Sequence, residues 1–210
     1  RAASMFHRDK NHPSVLIWSC GNESYAGKNL EAMSEYLHRQ DDTRLVHYEG
    51  VFWNRKYSHI SDMESRMYAK PEEIEEYLKS DPKKPYISCE YAHSMGNSTG
   101  GLCLYTALED RYDKYQGGFL WDYMDQALYR INDQGEEVLS YGGDFDDRPT
   151  DYEFCGNGIL FADRGLSPKV QEVKALYAPL RIYPGEKEVK IQNRNLFQDT
   201  SGYYFDCRLM

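Results

Sequence analysis

The chain has 210 residues, a 40% hydrophobic share and a formal net charge of −9. That size supports one ordinary core, or one core and the start of a second. The negative balance repels a phosphate backbone and argues against nucleic acid as a partner, and no run of 18 apolar residues is present to span a membrane.

The opening segment "RAASMFHRDKNHPS" carries no signal-peptide core and no natural start, so the chain is expected to be a piece of something longer. From there short apolar runs alternate with helical patterns, as in strand–helix units around a parallel sheet. A strand is predicted over 14–20 ("SVLIWSC") and a helix over 27–40, where Leu30, Met33, Tyr36 and Leu37 share a face. A strand follows over 44–49 ("RLVHYE"), then a loop over 50–64. A short strand at 65–69 precedes a helix with Pro71 in its first turn and Glu72, Glu73, Glu75 and Glu76 near the positive end of its dipole. "PYISCE" over 85–90 is the next strand, followed by a helix over 98–113 and a strand over 117–124 ("GGFLWDYM").

The acidic, glycine-rich stretch 132–163 reads as a long loop, and loops of that length tend to be functional. A last helix over 167–180 takes Ser167 as N-cap and Pro168 as its first residue. Beyond Pro184 the pattern changes to alternation with a turn, the start of an antiparallel sheet. The five strand–helix units fit an open doubly wound sheet, or the second half of an eight-unit barrel whose first three units lie elsewhere.

Five cysteines without a CxxC pair read as buried free thiols in a reducing compartment, hence a cytoplasmic expectation, rather than a disulfide framework or a zinc site. Nineteen tyrosines and three tryptophans pack cores, and they also suit carbohydrate, because the C–H face of a sugar lies flat on a ring.

Two apolar runs end in carboxylates: Glu23 in "VLIWSCGNES" and Glu90 in "ISCEYAHSMGN", two strand–helix units apart. In a β/α barrel the chemistry sits at the carboxyl ends of the strands. Two acids facing one pocket, one protonated and one ionised, are what glycoside hydrolysis needs. Position alone is weak evidence, since most such acids are helix caps or surface groups.

The longer segments carry more. "RDKNHPSVLIWSCGNES" resembles the acid/base segment of glycoside hydrolase family 2, and "CEYAHSMGNSTGG" resembles its nucleophile segment. "QGGFLWDYMDQ", "YGGDFDDRPTDYEFCGNGILFADR" and "SPKVQEVKALYAPL" resemble the continuation found in the large β-galactosidases of that family. The match runs in order from about residue 6 to the end.

The resemblance implies an α/β fold: the C-terminal portion of a (β/α)8 TIM barrel over 1–184, then the opening strands of a β-sandwich domain over 185–210. It implies that Glu23 is the acid/base and Glu90 the nucleophile of a retaining cleavage of terminal β-D-galactosides such as lactose. Asn22 would bind the 2-hydroxyl, Tyr68 would contact the nucleophile, His93 would reach sugar hydroxyls and Trp121 would wall the sugar. Phe154 and Asn157 would contribute oxygens to a sodium site near the 6-hydroxyl, and Glu23 would also ligate magnesium. The absent upstream barrel units imply that the remainder of a parent enzyme is a partner, that the parent is a homo-oligomer, and that the isolated chain is inactive. A β-glucuronidase is expected to lack the "YGGDF…FCGNG" stretch. A non-catalytic carbohydrate-binding module is disfavoured by the presence of both acids, and an open dinucleotide-binding sheet by the absence of GxGxxG after the first strand.

Overall fold

The computed structural model describes residues 1–208. Helix α1 (Ala2–Asp9) comes first, an element not anticipated from the sequence. Only Phe6 in it is fully buried, too thin a periodic signal to read from the sequence. Its ring packs against Trp18 at 5.6 Å and Tyr36 at 6.3 Å between centroids.

Then follow β1 (Ile17–Ser19), α2 (Lys28–Gln40), β2 (Leu45–His47), β3 (Glu64–Met67), α3 (Pro71–Lys79), β4 (Tyr86–Tyr91), α4 (Leu102–Glu109) and β5 (Tyr115–Leu120). Strand β1 pairs in parallel with β2, and β3, β4 and β5 form a second parallel sheet in that order. The two sheets are joined between β2 and β3. The Asp62 amide donates to the Val46 carbonyl at 2.8 Å, the Val46 amide donates to the Asp62 carboxylate at 2.7 Å, and His47 Nε2 lies 2.8 Å from Ser65 Oγ. The loop expected over 50–64 is shaped by two 3₁₀ turns, Glu49–Phe52 and Arg55–Ile60.

Leu30, Met33 and Tyr36 of α2 pack, with fully buried Leu37, on a core that includes Trp18, Val46, Tyr48 and Ile60. Beneath that core the Trp18 indole and the Arg44 guanidinium both donate to Asp41, at 2.9 and 2.7 Å. Hydrogen bonds from Thr43 above all, then from Arg44 and Trp18, hold the Asp41 carboxyl far below the usual carboxylate range against its burial. Helix α3 begins at Pro71 as predicted, and Glu73 turns back to accept the Lys70 amide at 2.8 Å.

Several boundaries differ from the prediction. The helix expected over 98–113 is only Leu102–Glu109, and the strand expected over 117–124 ends at Leu120, so Trp121 lies just past it. The long loop holds a hairpin, β6 (Leu128–Ile131) with β7 (Glu137–Ser140), and a 3₁₀ turn at Tyr152–Cys155. The last helix, α5 (Val170–Leu176), starts later than expected and Ser167 is not its N-cap. The Ser167 hydroxyl donates instead to the Ile159 carbonyl at 2.6 Å, fixing the loop to the helix entry. β8 (Leu180–Pro184) and β9 (Val189–Asn193) form an antiparallel hairpin that already starts at Leu180. All five cysteines are free, but Cys103 and Cys207 are exposed rather than buried.

Gly50 lies where the turn after β2 passes under the loop after β1. A Cβ there would overlap the Ser24 carbonyl oxygen and the Tyr48 ring. Gly50→Ala is therefore expected to cost about 1–3 kcal/mol by overpacking. Urea titration reads this as a lowered midpoint; an unchanged midpoint contradicts the close approach.

Candidate active site

The C-terminal ends of the five parallel strands border two neighbouring cavities. One, of about 460 Å³, is lined by Asn22, His47, Glu49, Glu90, Phe119 and Trp121 above a floor that includes Ile17, Met63 and Ile87. The other, of about 560 Å³, is lined by Glu23, Glu49, Phe52, Trp53, Arg66 and Tyr68 among others. Glu49 borders both.

Glu90 is the penultimate residue of β4 and is half-buried. The Tyr68 hydroxyl donates to Glu90 Oε2 at 2.7 Å, and the Tyr68 amide donates to the Glu90 carbonyl at 2.9 Å. Tyr68 lies just beyond β3 with φ 53°, in the left-handed region, which turns its ring toward β4. Burial first, then the hydrogen bond to Glu90 and the charges of Glu90, Cys89 and Glu23, push the Tyr68 phenol far above its ordinary value. It therefore stays protonated and donates to Glu90. The His93 ring packs against Tyr68 at 5.6 Å between centroids. The Met95 amide donates to His93 Nδ1 at 3.4 Å, so a neutral ring carries its proton on Nε2, free to donate elsewhere.

Glu23 lies four residues past β1, exposed, with φ 52°. Its amide donates to Glu49 Oε1 at 2.6 Å, and the next amide, of Ser24, donates to the Tyr48 hydroxyl at 3.0 Å. Glu23, Tyr68 and Ala92 all adopt positive φ without being glycine. Each such residue costs on the order of 1–3 kcal/mol, and such strain gathers at functional sites.

Of the residues singled out from the sequence, Asn22, Glu90 and Trp121 line the first cavity, and Glu23 and Tyr68 the second, with the His93 ring tilted against Tyr68. Phe154 and Asn157 line neither. They adjoin one another, and the Asn157 carbonyl accepts the Asp122 amide at 2.7 Å, next to Trp121. Asn157 Nδ2 donates to the Phe154 carbonyl at 2.8 Å, while the buried Asn157 Oδ1 has no partner among the described residues. An orphaned, buried amide oxygen beside a carbonyl is a pair of hard donors, so this set fits a monovalent cation. For a divalent ion the described residues hold no cluster of three or more His, Cys, Asp or Glu side chains, and Glu23 is a single ligand.

Two groups at the site escaped the sequence reading. Glu49 is buried at 5% exposure and anchors the Glu23 amide. Its signal was available, because "LVHYE" ends in an acid just as "SCE" does. His47 is buried between Ser19 and Ser65, with no local pattern to mark it.

A family model described as the TIM barrel domain of glycosyl hydrolases family 2 matches residues 1–182. The chain belongs to glycosyl hydrolase family 2. This family 2 chain is 62% identical to a β-galactosidase of Halalkalibacterium halodurans, over 98% of the chain and 20% of that protein. It is 64% identical to a β-galactosidase of Clostridium acetobutylicum, over 97% of the chain and 22% of that protein. The chain thus spans about a fifth of these curated relatives. Among solved structures, a β-glucuronidase of Bacteroides uniformis superposes with a TM-score of 0.56 at 18% identity, over 86% of this chain and 26% of that one, a likeness of fold.

Burial lowers the His47 imidazole from 6.5 to about 4. Its folded value is depressed, so the unfolded chain takes up the proton first. Stability is full above about pH 6.5 and falls between there and about pH 4, by on the order of 3 kcal/mol. His47→Gln should flatten that interval in a series of urea titrations; an equally steep decline in the variant would remove His47 as the cause.

Proposed function

We propose that these residues form the catalytic half of a retaining β-galactosidase, acting on terminal β-D-galactosides of the lactose type. The observation that carries the proposal is the shared wall of Glu49. It lines both the cavity bordered by Glu90 and the cavity bordered by Glu23, so two carboxylates from well-separated strands face adjoining cavities at one edge of the sheets. The 50–64% identity to five curated relatives named β-galactosidase supports galactose over glucuronic acid.

In the proposed reaction the Glu90 carboxylate, oriented by the hydrogen bond from the Tyr68 hydroxyl, attacks the anomeric carbon. The bond to the leaving oxygen breaks as Glu23 gives that oxygen its proton. In the second step Glu23 takes a proton from water, the resulting hydroxyl attacks the same carbon, and the Glu90 ester is released. Two inversions retain the β configuration. Asn22 holds the 2-hydroxyl, where a hydrogen bond strengthens as the oxocarbenium-like transition state forms. Trp121, 36% exposed on the cavity wall, offers its ring face to the sugar, and His93 Nε2 donates to a hydroxyl. Sodium, held by the Phe154 carbonyl and Asn157 Oδ1, would orient the 6-hydroxyl. Magnesium would take Glu23 with ligands from elsewhere in the parent enzyme and would tune that acid.

On this reading residues 1–184 supply about five units of a (β/α)8 barrel, and 185–210 open a β-sandwich domain. One side each of β1 and β5 is unpaired among the described residues, and apolar Ile17, Met63, Ile87 and Phe119 line an open cavity. Open parallel edges and an uncovered interior call for the remaining barrel strands, supplied by the rest of the parent, an assembled cytoplasmic protein.

In the complete enzyme a 2-fluoro-galactoside should add its glycosyl mass to the peptide bearing Glu90. Sugar binding without labelling would point to a non-catalytic module. The 210-residue chain alone should not turn over a chromogenic galactoside; robust turnover that vanishes in Glu90→Gln would contradict the need for the other half.

A further inference from the structure

Two acids near the site, Glu49 and Glu64, are equally buried, each 5% exposed. Glu64 is neutralised by Arg55 at 2.8 Å and by Arg66 at 3.1 Å. Glu49 has no ion pair among the described residues. The one hydrogen bond to its carboxylate comes from the Glu23 amide, at 2.6 Å. Burying a carboxylate without a cation is costly, so core stability does not account for Glu49. Its contact falls instead on a residue whose backbone stands in the left-handed region, at φ 52°. The neighbours of Glu49 grip the residues that follow Glu23. The Tyr48 hydroxyl accepts the Ser24 amide at 3.0 Å and donates to the Ser24 carbonyl. Asn54 Nδ2 donates to the Ala26 carbonyl at 2.9 Å. Phe52, in the same turn, is braced by the guanidiniums of Arg55, at 4.9 Å, and Arg66, at 4.5 Å.

We propose that Glu49 is the positioning residue of the acid/base, serving proton transfer and not nucleophilic attack. The inference rests on reading Glu23 as the acid/base. A non-glycine residue released from positive φ relaxes toward the ordinary helical or extended regions, and the direction of its side chain turns with it. Ser24 and Ala26 would stay held by Tyr48 and Asn54, so the displacement is confined to Glu23. A carboxyl moved out of hydrogen-bond reach of the departing oxygen no longer gives it a proton, and no longer takes one from water in the second step. Glu90 is oriented separately, by the Tyr68 hydroxyl at 2.7 Å, and shares no hydrogen bond with Glu49.

The test compares two substrates in the complete enzyme. Phenyl β-galactoside needs its leaving oxygen protonated, and 2,4-dinitrophenyl β-galactoside does not. Glu49→Ala should lower kcat/KM for the phenyl compound about a hundredfold, the low end of what general acid catalysis contributes, and leave that for the dinitrophenyl compound nearly unchanged. On the dinitrophenyl compound kcat and KM should fall together, because the galactosyl–Glu90 ester accumulates when water is no longer activated. Glu49→Gln keeps an oxygen for the Glu23 amide and should recover most of the loss. If Glu49→Ala does not fold, Glu49→Asp, which withdraws the oxygen by one methylene, reads the same ratio. Equal loss on both substrates, no loss on either, or a loss in Glu49→Gln as large as in Glu49→Ala would overturn the positioning role. Glu23→Ala serves as the reference. Absence of leaving-group dependence in that variant would overturn the acid/base reading itself.

Discussion

The parallel alignment of the strands is the constraint on which the site depends. Parallel pairing of β1 with β2, and of β3 with β4 and β5, brings the ends of five chain segments to one edge. Residues 23, 49, 68, 90 and 121 are scattered through the sequence, yet each follows or closes one of those strands. A sheet of this kind is rigid along its strands and free at its ends, where backbone can take up conformations a strand forbids. The positive φ angles of Glu23, Tyr68 and Ala92 all occur there. Their strain is sustained by local anchors: the Glu49 carboxylate for Glu23, and the backbone and phenol bonds to Glu90 for Tyr68.

The electrostatic arrangement follows from those anchors. Three carboxylates, Glu23, Glu49 and Glu90, gather at one edge, and each is served differently. Glu49 is buried and accepts a backbone amide. Glu90 accepts a phenol whose own proton is firmly held. Glu23 is exposed to the space where a leaving group would lie. Acids in unlike surroundings can take unlike roles, and a two-step displacement requires that difference. Glu64, the nearby buried carboxylate, is neutralised by Arg55 and Arg66 and serves the scaffold instead.

Much of this was legible in the sequence. The strand ending at Glu90 and the helix opening at Pro71 follow from local rules of periodicity and capping, and the structure places them close to where those rules do. Long motifs carried the family assignment. What stayed hidden was non-local. Helix α1 buries a single side chain and has no face to read, and β6–β7 lies in a stretch whose glycines and acids signal a loop. Glu49 matters through the amide of a residue 26 positions earlier, a relation that no window along the chain displays.

The central claim is that Glu23 and Glu90 act from opposite sides of one glycosidic bond, at the separation of about 5–5.5 Å that double displacement needs. The stereochemistry of the first-formed sugar tests this most directly. Proton NMR of the complete enzyme hydrolysing an aryl β-galactoside, recorded before mutarotation, should show β-galactose accumulating first. Initial appearance of α-galactose would mean a single displacement by water across a wider gap, and would contradict the account.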